Sequence, residues 1–284
     1  MKVLLTGGRG MLGRTLVREL GEEFDVIPTD LPEADITDEI SLDAVFGRYA
    51  PDVVIHCAAM TAVDRCETER DLAFRLNARG TANVASLCNR RGIRLIAIST
   101  DYVFDGDSYR PYNEFDRATG GRTVYGQSKF AGEEAVRTLC PNHVIARISW
   151  LYGAGGPSFV HTMMSLADGS RPVLKVVADQ LGNPTSAAAV ARALKCILER
   201  PNLCGTFHLT CEGEATWAEL AEEIFRLAGK DQKVHPCTTE EVPRPAPRPK
   251  NSRLEKMGLR LAGLPPMADW KDALKEFMET EFAG

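Results

Sequence analysis

The amino-acid sequence predicts an α/β fold: a doubly wound parallel sheet with helices on both faces, joined to a smaller C-terminal α/β lobe. Three observations predict it. Short apolar runs alternate with helical periodicity at least four times between Lys2 and Ser99. A glycine-rich turn, Gly7-Gly8-Arg9-Gly10-Met11-Leu12-Gly13, joins the first run to the first helical stretch. The fourth run, Ile93 to Ser99, ends abruptly in the hydroxyls of Ser99 and Thr100, and open α/β sheets bind ligands at the carboxyl ends of their strands.

The bulk composition bounds the answer. A chain of 284 residues is long enough for one large α/β domain with a lobe. It is 44% hydrophobic and 26% charged with a net charge of −5, which argues against nucleic acid or a membrane surface as the main partner. No apolar run approaches the roughly 20 residues of a membrane span, and the apolar part of the N-terminus is too short for a signal peptide. The eight cysteines are scattered with no C-x-x-C pair. They read as reduced thiols rather than disulfides or a zinc site, and a cytoplasmic location follows as the expectation.

Taken in order, Lys2 to Thr6 is a strand. Met11, Leu12, Leu16, Val17 and Leu20 then recur at helical spacing, with Gly21 as a stop. Strand, glycine turn and helix form the context of a dinucleotide fingerprint, here spaced G-x-x-G-x-x-G. Gly7 permits the turn, Gly10 lets the backbone approach a pyrophosphate, and Gly13 lets the helix pack closely. Asp25 to Asp30 is a second strand, and Asp30 lies 20 residues after Gly10, where an acid bonds adenosine ribose hydroxyls. Asp30 favours NADH; Arg9, inside the loop, would meet a 2′-phosphate and keeps NADPH open. Asp35 and Ile36 are placed near the adenine, and Thr37 or Asp38 caps a helix running to Tyr49.

Asp52 to Ala59 is the third strand, ending in the small Ala58 and Ala59 where backbone lies against a cofactor. His56 reads as a core histidine rather than a catalytic one. A long helix is expected from Glu67 to Arg91, with Asn77 a local misfit that hints at a side chain with a task. Beyond the fourth strand, Tyr125 and Lys129 are four apart and share one helix face. A hydroxyl, a phenol and an ammonium converging at a strand end point to proton transfer at an oxygen.

After residue 150 the alternation loosens, so 1–150 is read as the cofactor domain and 151–284 as a substrate lobe with interleaving segments. Gly153 to Pro157 is a loop. Helices are expected at Phe159–Leu166, Ala187–Leu198, Thr216–Leu227 and Ala268–Phe282, with a strand at Phe207–Thr210. Trp150 and Tyr152 offer aromatic faces for a sugar or base, or for the core. The proline-rich run Pro243 to Pro249 is internal, which disfavours a peptide-ligand role.

The pattern T-G-x-x-G-x-x-G, then Ser99-Thr100-Asp101-Tyr102-Val103-Phe104, then Y-x-x-x-K resembles the extended short-chain dehydrogenase/reductases. Four further stretches, Ala59–Asp64, Arg147–Gly153, Asp179–Thr185 and Arg248–Leu254, resemble the dTDP-4-dehydrorhamnose reductase family over nearly the whole chain. The sugar-nucleotide dehydratases of the superfamily carry a Glu after Thr-Asp; here Tyr102 stands in its place, so the dehydration base is missing.

The resemblance implies a Rossmann fold, NADPH or NADH as cofactor, and reduction of the 4-keto group of dTDP-4-dehydro-L-rhamnose. It implies Thr100, Tyr125 and Lys129 as catalytic residues. Cofactor contacts would come from Gly7, Arg9, Gly10, Met11, Leu12, Gly13, Asp30, Asp35, Ile36, Ala58, Ala59, Thr61, Tyr125 and Lys129. Sugar-nucleotide contacts would come from Val63, Asp64, Thr100, Asp101, Tyr102, Trp150, Gln180, Asn183 and Arg248, with Arg248 near the diphosphate. Lys129 is expected to lower the pKa of the Tyr125 phenol. Two alternatives stand beside this reading: a 4-epimerase of the same superfamily, and a non-catalytic subunit like the relative that serves methionine adenosyltransferase. Family members are often homodimers, some through a bridging metal, but no acidic pair is assignable to a metal here.

Overall fold

A computed structural model describes residues 1–282 of the chain. Five strands, β1 (Lys2–Thr6), β2 (Asp25–Thr29), β3 (Val53–His56), β4 (Arg94–Thr100) and β5 (His143–Ile148), form a parallel sheet. Its order is β2-β1-β3-β4-β5, with Gly205–His208 as a sixth parallel strand beside β5. Every residue of β3 and β4 is buried. Both faces of these strands are covered, which is why their sequences read as unbroken apolar runs rather than alternating ones. The strand order reverses between β2-β1 and β3, and the crevice for a ligand opens there.

Successive side chains feed opposite cores. Leu4, Val54, Leu95 and Ile145 pack with Phe46 and Val84 on one face. Val3, Leu5, Ile55, Ile96 and Val144 pack on the other, where the core continues into Val190, Leu194, Ile224 and Leu274. Helix Ala187–Leu198 lies on helix Met11–Leu20, so the second half of the chain completes the first sheet as well as building its own lobe.

Two expectations are corrected. The helix expected over 67–91 is Val63–Thr68, Arg70–Phe74, a π-helical turn Arg75–Gly80, and Thr81–Arg91. Glu69 leaves helical geometry (φ −117°, ψ 52°) and breaks the first join, and the π turn holds the buried Asn77. The strand expected at Phe207–Thr210 begins earlier, at Gly205. The parallel pair Val173–Val177 with Lys233–Cys237 has no counterpart in the sequence reading. Among the described residues no helix is long and apolar enough to cross a membrane, no cluster of metal-ligating side chains forms, and all eight cysteines are free.

The helix Val124–Leu139 is tied to the sheet by a buried ion pair. Arg147 of β5 donates from Nε to Glu133 Oε1 (2.8 Å) and from one terminal nitrogen to Oε2 (2.7 Å). Ser99 of β4 donates to the same carboxylate (2.6 Å), as does Arg137 (2.7 Å). The Glu133 and Arg147 side chains are 1% and 2% exposed. Burial works to raise the Glu133 carboxyl, but Arg147, Ser99 and Arg137 outweigh it and hold it below the ordinary range. A carboxyl lowered by folding lends stability above its unfolded value of about 4.3 and loses it as pH falls through the folded value. We expect Glu133→Ala, which strands the Arg147 charge, to cost about 3–5 kcal/mol in denaturant unfolding. Replacing both partners with Leu and Met should recover most of that. Acid titration of the wild type should show loss of stability below about pH 4.

Candidate active site

The site is built where β1, β3 and β4 end. Gly7 follows β1 at φ +70°, and a Cβ there would come within 2.7 Å of the Ala58 amide nitrogen after β3. A Cβ on Gly13 would meet the Gly7 carbonyl at 2.5 Å. These positions take glycine because backbone meets backbone. Gly10 precedes helix Met11–Leu20 and no side chain caps it, so the first-turn N–H groups point out unclaimed, as a pyrophosphate requires.

Asp30 follows β2 and accepts from the Arg9 amide (3.0 Å) and the Leu31 amide (2.8 Å). The Arg9 guanidinium rests on the Leu31 carbonyl (3.2 Å). Acid and base thus stand side by side at the end where an adenosine ribose would lie. Asp35 and Ile36 do not reach the cavity. The Asp35 carboxylate accepts from the Thr37 amide and hydroxyl, both at 2.8 Å. Ile36 is buried in the core. Asp38, not Thr37, caps the following helix.

From the glycine loop a cavity of about 480 Å³ runs to Thr100 and Tyr125, within the size range of small-molecule sites. Its walls include Met11, Leu12, Gly13, Ala59, Thr61, Val63, Asp101, Tyr102, Lys129 and Trp150. Ile148, Ser149, Gly156 and Pro157 also line it; these were missed because only the return of β5 beside β4 brings them there. His56 lies outside, buried between the Thr6 (2.7 Å) and Thr81 (3.0 Å) hydroxyls. Burial pushes its pKa down to about 3, as befits a neutral core histidine.

Helix Val124–Leu139 presents Tyr125 and Lys129. Its start is fixed by Thr123, which accepts from the Gly126 amide (3.0 Å), and by Glu67, which accepts from the Val124 amide (2.9 Å). Asn77 fixes its next turn. The Asn77 amide donates to the Ser128 hydroxyl (3.0 Å) and clasps both the N–H and the carbonyl of Met60 (2.8 and 3.0 Å). The misfit seen in the sequence is thus a fully buried bracket between the helix and the loop after β3.

Electrostatics differ from expectation. Burial raises the Tyr125 phenol above its ordinary value, with its hydrogen-bonding contact to Thr100 acting the other way. The Lys129 ammonium donates to the Ile98 carbonyl (2.7 Å). Burial pushes Lys129 down to about 8, against the pull of Glu133. Thr100 donates to Asp101 Oδ1 (2.8 Å) rather than into the cavity. Burial pushes Asp101 up to about 6 despite bonds from Thr100, Ser252 and Ser149. Tyr102 meets Tyr125 edge-on, ring centroids 5.5 Å apart.

The outer wall comes from the second half. Asp64 pairs with Arg248 (3.0 Å) and accepts from the Ala246 amide (3.1 Å), pinning the proline-rich segment beside Tyr102. A hollow of about 110 Å³ lined by Tyr102, Arg122, Arg248 and Lys250 opens there. Tyr152 is core, packed against Phe277. Gln180 and Asn183 stand behind this wall, each held by partners within the chain. Gln180 bonds Thr239 and Trp217 (2.9 and 3.0 Å). Asn183 bonds the Gly213 carbonyl and the Leu254 amide (2.6 and 2.7 Å).

This geometry has close counterparts. The family model described as the RmlD substrate binding domain matches residues 1–282. A probable dTDP-4,6-dihydroxy-2-methyloxan-3-one 4-ketoreductase of Streptomyces antibioticus is 42% identical, over 97% of this chain and 94% of its own length. A solved dTDP-4-dehydrorhamnose reductase of Clostridium acetobutylicum superposes with a TM-score of 0.94 at 46% identity, covering 98% of this chain and 99% of that one. The dTDP-4-dehydrorhamnose reductase of Bacillus anthracis, solved in complex with NADP, gives a TM-score of 0.94 at 41% identity over 98% of both chains. On the full-length family match and these near-complete likenesses, the chain belongs to the dTDP-4-dehydrorhamnose reductase family.

Proposed function

We propose that the protein reduces the 4-keto group of a dTDP-linked 6-deoxy sugar, specifically dTDP-4-dehydro-L-rhamnose, with NADPH or NADH, and that residues 151–284 supply the substrate lobe. The observation that carries this is that Thr100, Tyr125 and Lys129 line one cavity that runs to an uncapped glycine loop.

The uncapped first turn and the Gly7–Gly13 cradle fit a pyrophosphate, and Asp30 and Arg9 fit the two forms of the adenosine ribose. Bound there, a reduced nicotinamide supplies the hydride. The chain's own part is proton transfer and charge. As the sugar's C4 gains hydride, its oxygen becomes an alkoxide, and Tyr125 gives that oxygen its O–H proton. Reduction needs a proton donor, and a phenol, with its ordinary value of about 10, carries its proton at neutral pH. Lys129, charged below about pH 8, faces the tyrosinate this leaves and holds the nicotinamide ribose. Thr100 is polarised by Asp101 and orients the Tyr125 hydroxyl. Arg248, anchored by Asp64, offers its remaining donors to the diphosphate.

The direct test is cofactor oxidation with dTDP-4-dehydrorhamnose, run with NADPH and with NADH; silence with both sinks the reading. Three outcomes follow from the site. Tyr125→Phe should cut turnover by about 10²–10⁴-fold while cofactor affinity stays within a few-fold; wild-type turnover would remove Tyr125 from the chemistry. The kcat/KM for cofactor reports the free enzyme, so its alkaline limb should fall near pH 8, where Lys129 loses its proton, rather than near the ordinary lysine value of about 10.4. Arg9→Ala should raise KM for NADPH several-fold more than for NADH, and Asp30→Ala should do the reverse, as initial-rate measurements would show.

A further inference from the structure

Trp150 lines the cavity on an improbable backbone. Its φ is +45°, a left-handed conformation that a bulky side chain adopts only when its surroundings over-determine it. Those surroundings are visible. Indole Nε1 donates to the Ser252 hydroxyl (3.0 Å). The indole edge lies on Gly182, where a Cβ would come within 2.3 Å of the ring, so residue 182 takes glycine to admit it. One indole face is covered by Trp217, with centroids 3.5 Å apart and planes at 6°. This is closer and flatter than aromatic pairs choose unaided.

Trp217 is itself clamped. It opens helix Trp217–Leu227 behind a capping box of Thr216 and Glu219, tilts on Phe159 (4.6 Å), and donates from Nε1 to Gln180 (3.0 Å). Gln180 donates onward to the Thr239 hydroxyl (2.9 Å), which is bonded to Asp179 (2.6 Å). Thr239 begins the short turn Thr239–Glu241, from which the chain runs on to the segment that carries Arg248.

We propose that Trp217 is a positioning residue for substrate: it holds the Trp150 indole against the cavity and, through Gln180 and Thr239, ties that wall to the segment bearing Arg248. The proposal rests on the sugar-nucleotide reading above. Trp217 does not line the cavity, and its hydrogen-bond and ring partners are Gln180, Trp150 and Phe159, so its loss weakens sugar-nucleotide binding and leaves cofactor binding alone. Because it acts through Trp150, the two effects are not additive.

The test is a double-mutant cycle on the Kd of dTDP-L-rhamnose, titrated by calorimetry without turnover, with NADPH affinity measured alongside. Trp217→Leu should weaken sugar-nucleotide binding about tenfold, the scale set by releasing backbone strain, with NADPH affinity within twofold. In a Trp150→Ala background the same change should do nothing further. Trp217→Phe should restore binding to within about threefold, since a ring still covers the indole. Gln180→Leu, which keeps the stack but breaks its tether, should weaken binding several-fold and guards against a Trp217→Leu chain that fails to fold. Unchanged affinity in both Trp217→Leu and Gln180→Leu, additive losses in the cycle, or a parallel loss of NADPH binding would overturn the proposal. Wild-type binding with an additive cycle defeats the positioning role alone; no binding by the wild type defeats it together with the sugar-nucleotide reading.

Discussion

The buried Glu133–Arg147 pair sets where Tyr125 and Lys129 stand. It crosslinks the helix carrying both residues to β5, and Ser99 brings β4 into the same bond. Without it the helix would keep its ties to Glu67 and Asn77 near its start but lose its polar bond to β5. A carboxylate between two guanidinium groups and a hydroxyl has few satisfied arrangements in a dry interior. The same carboxylate also acts against the desolvation of Lys129, so the bond that places the lysine helps keep it charged.

Burial dominates the electrostatics of the site. It drives Tyr125 and Asp101 toward their protonated forms and Lys129 toward its neutral one. Near pH 7 this gives a protonated phenol, a charged lysine and a carboxylate close to its titration point. Together they set a proton donor and a cation beside one cavity. Tyr102, standing where a dehydratase keeps its base, agrees with this direction.

The parts legible in the sequence were those encoded locally. The glycine turn, the hydroxyl-ended strand and the four-residue spacing of Tyr125 and Lys129 each lie within one short stretch, and each came together at the switch between β1 and β3. What the sequence left open depends on distant partners. Gln180 and Asn183 look like free polar residues in a turn until Trp217, Thr239, Gly213 and Leu254 fold onto them. The bond from the Lys129 ammonium to the Ile98 carbonyl likewise joins a helix to a strand distant in the chain. Asn77 registered as a misfit because helix propensity is local, while its partners, Met60 and Ser128, lie on either side of it in the chain.

The central claim is that hydride is delivered to the sugar's C4 and that Tyr125 supplies the proton to its oxygen. Reduced cofactor carrying deuterium at its transferable position tests it directly, with the product read by NMR. The account predicts one deuterium at C4 of the dTDP-sugar for each cofactor oxidised. Product lacking deuterium at C4, or sugar changed at C4 with no net cofactor oxidation, would contradict it.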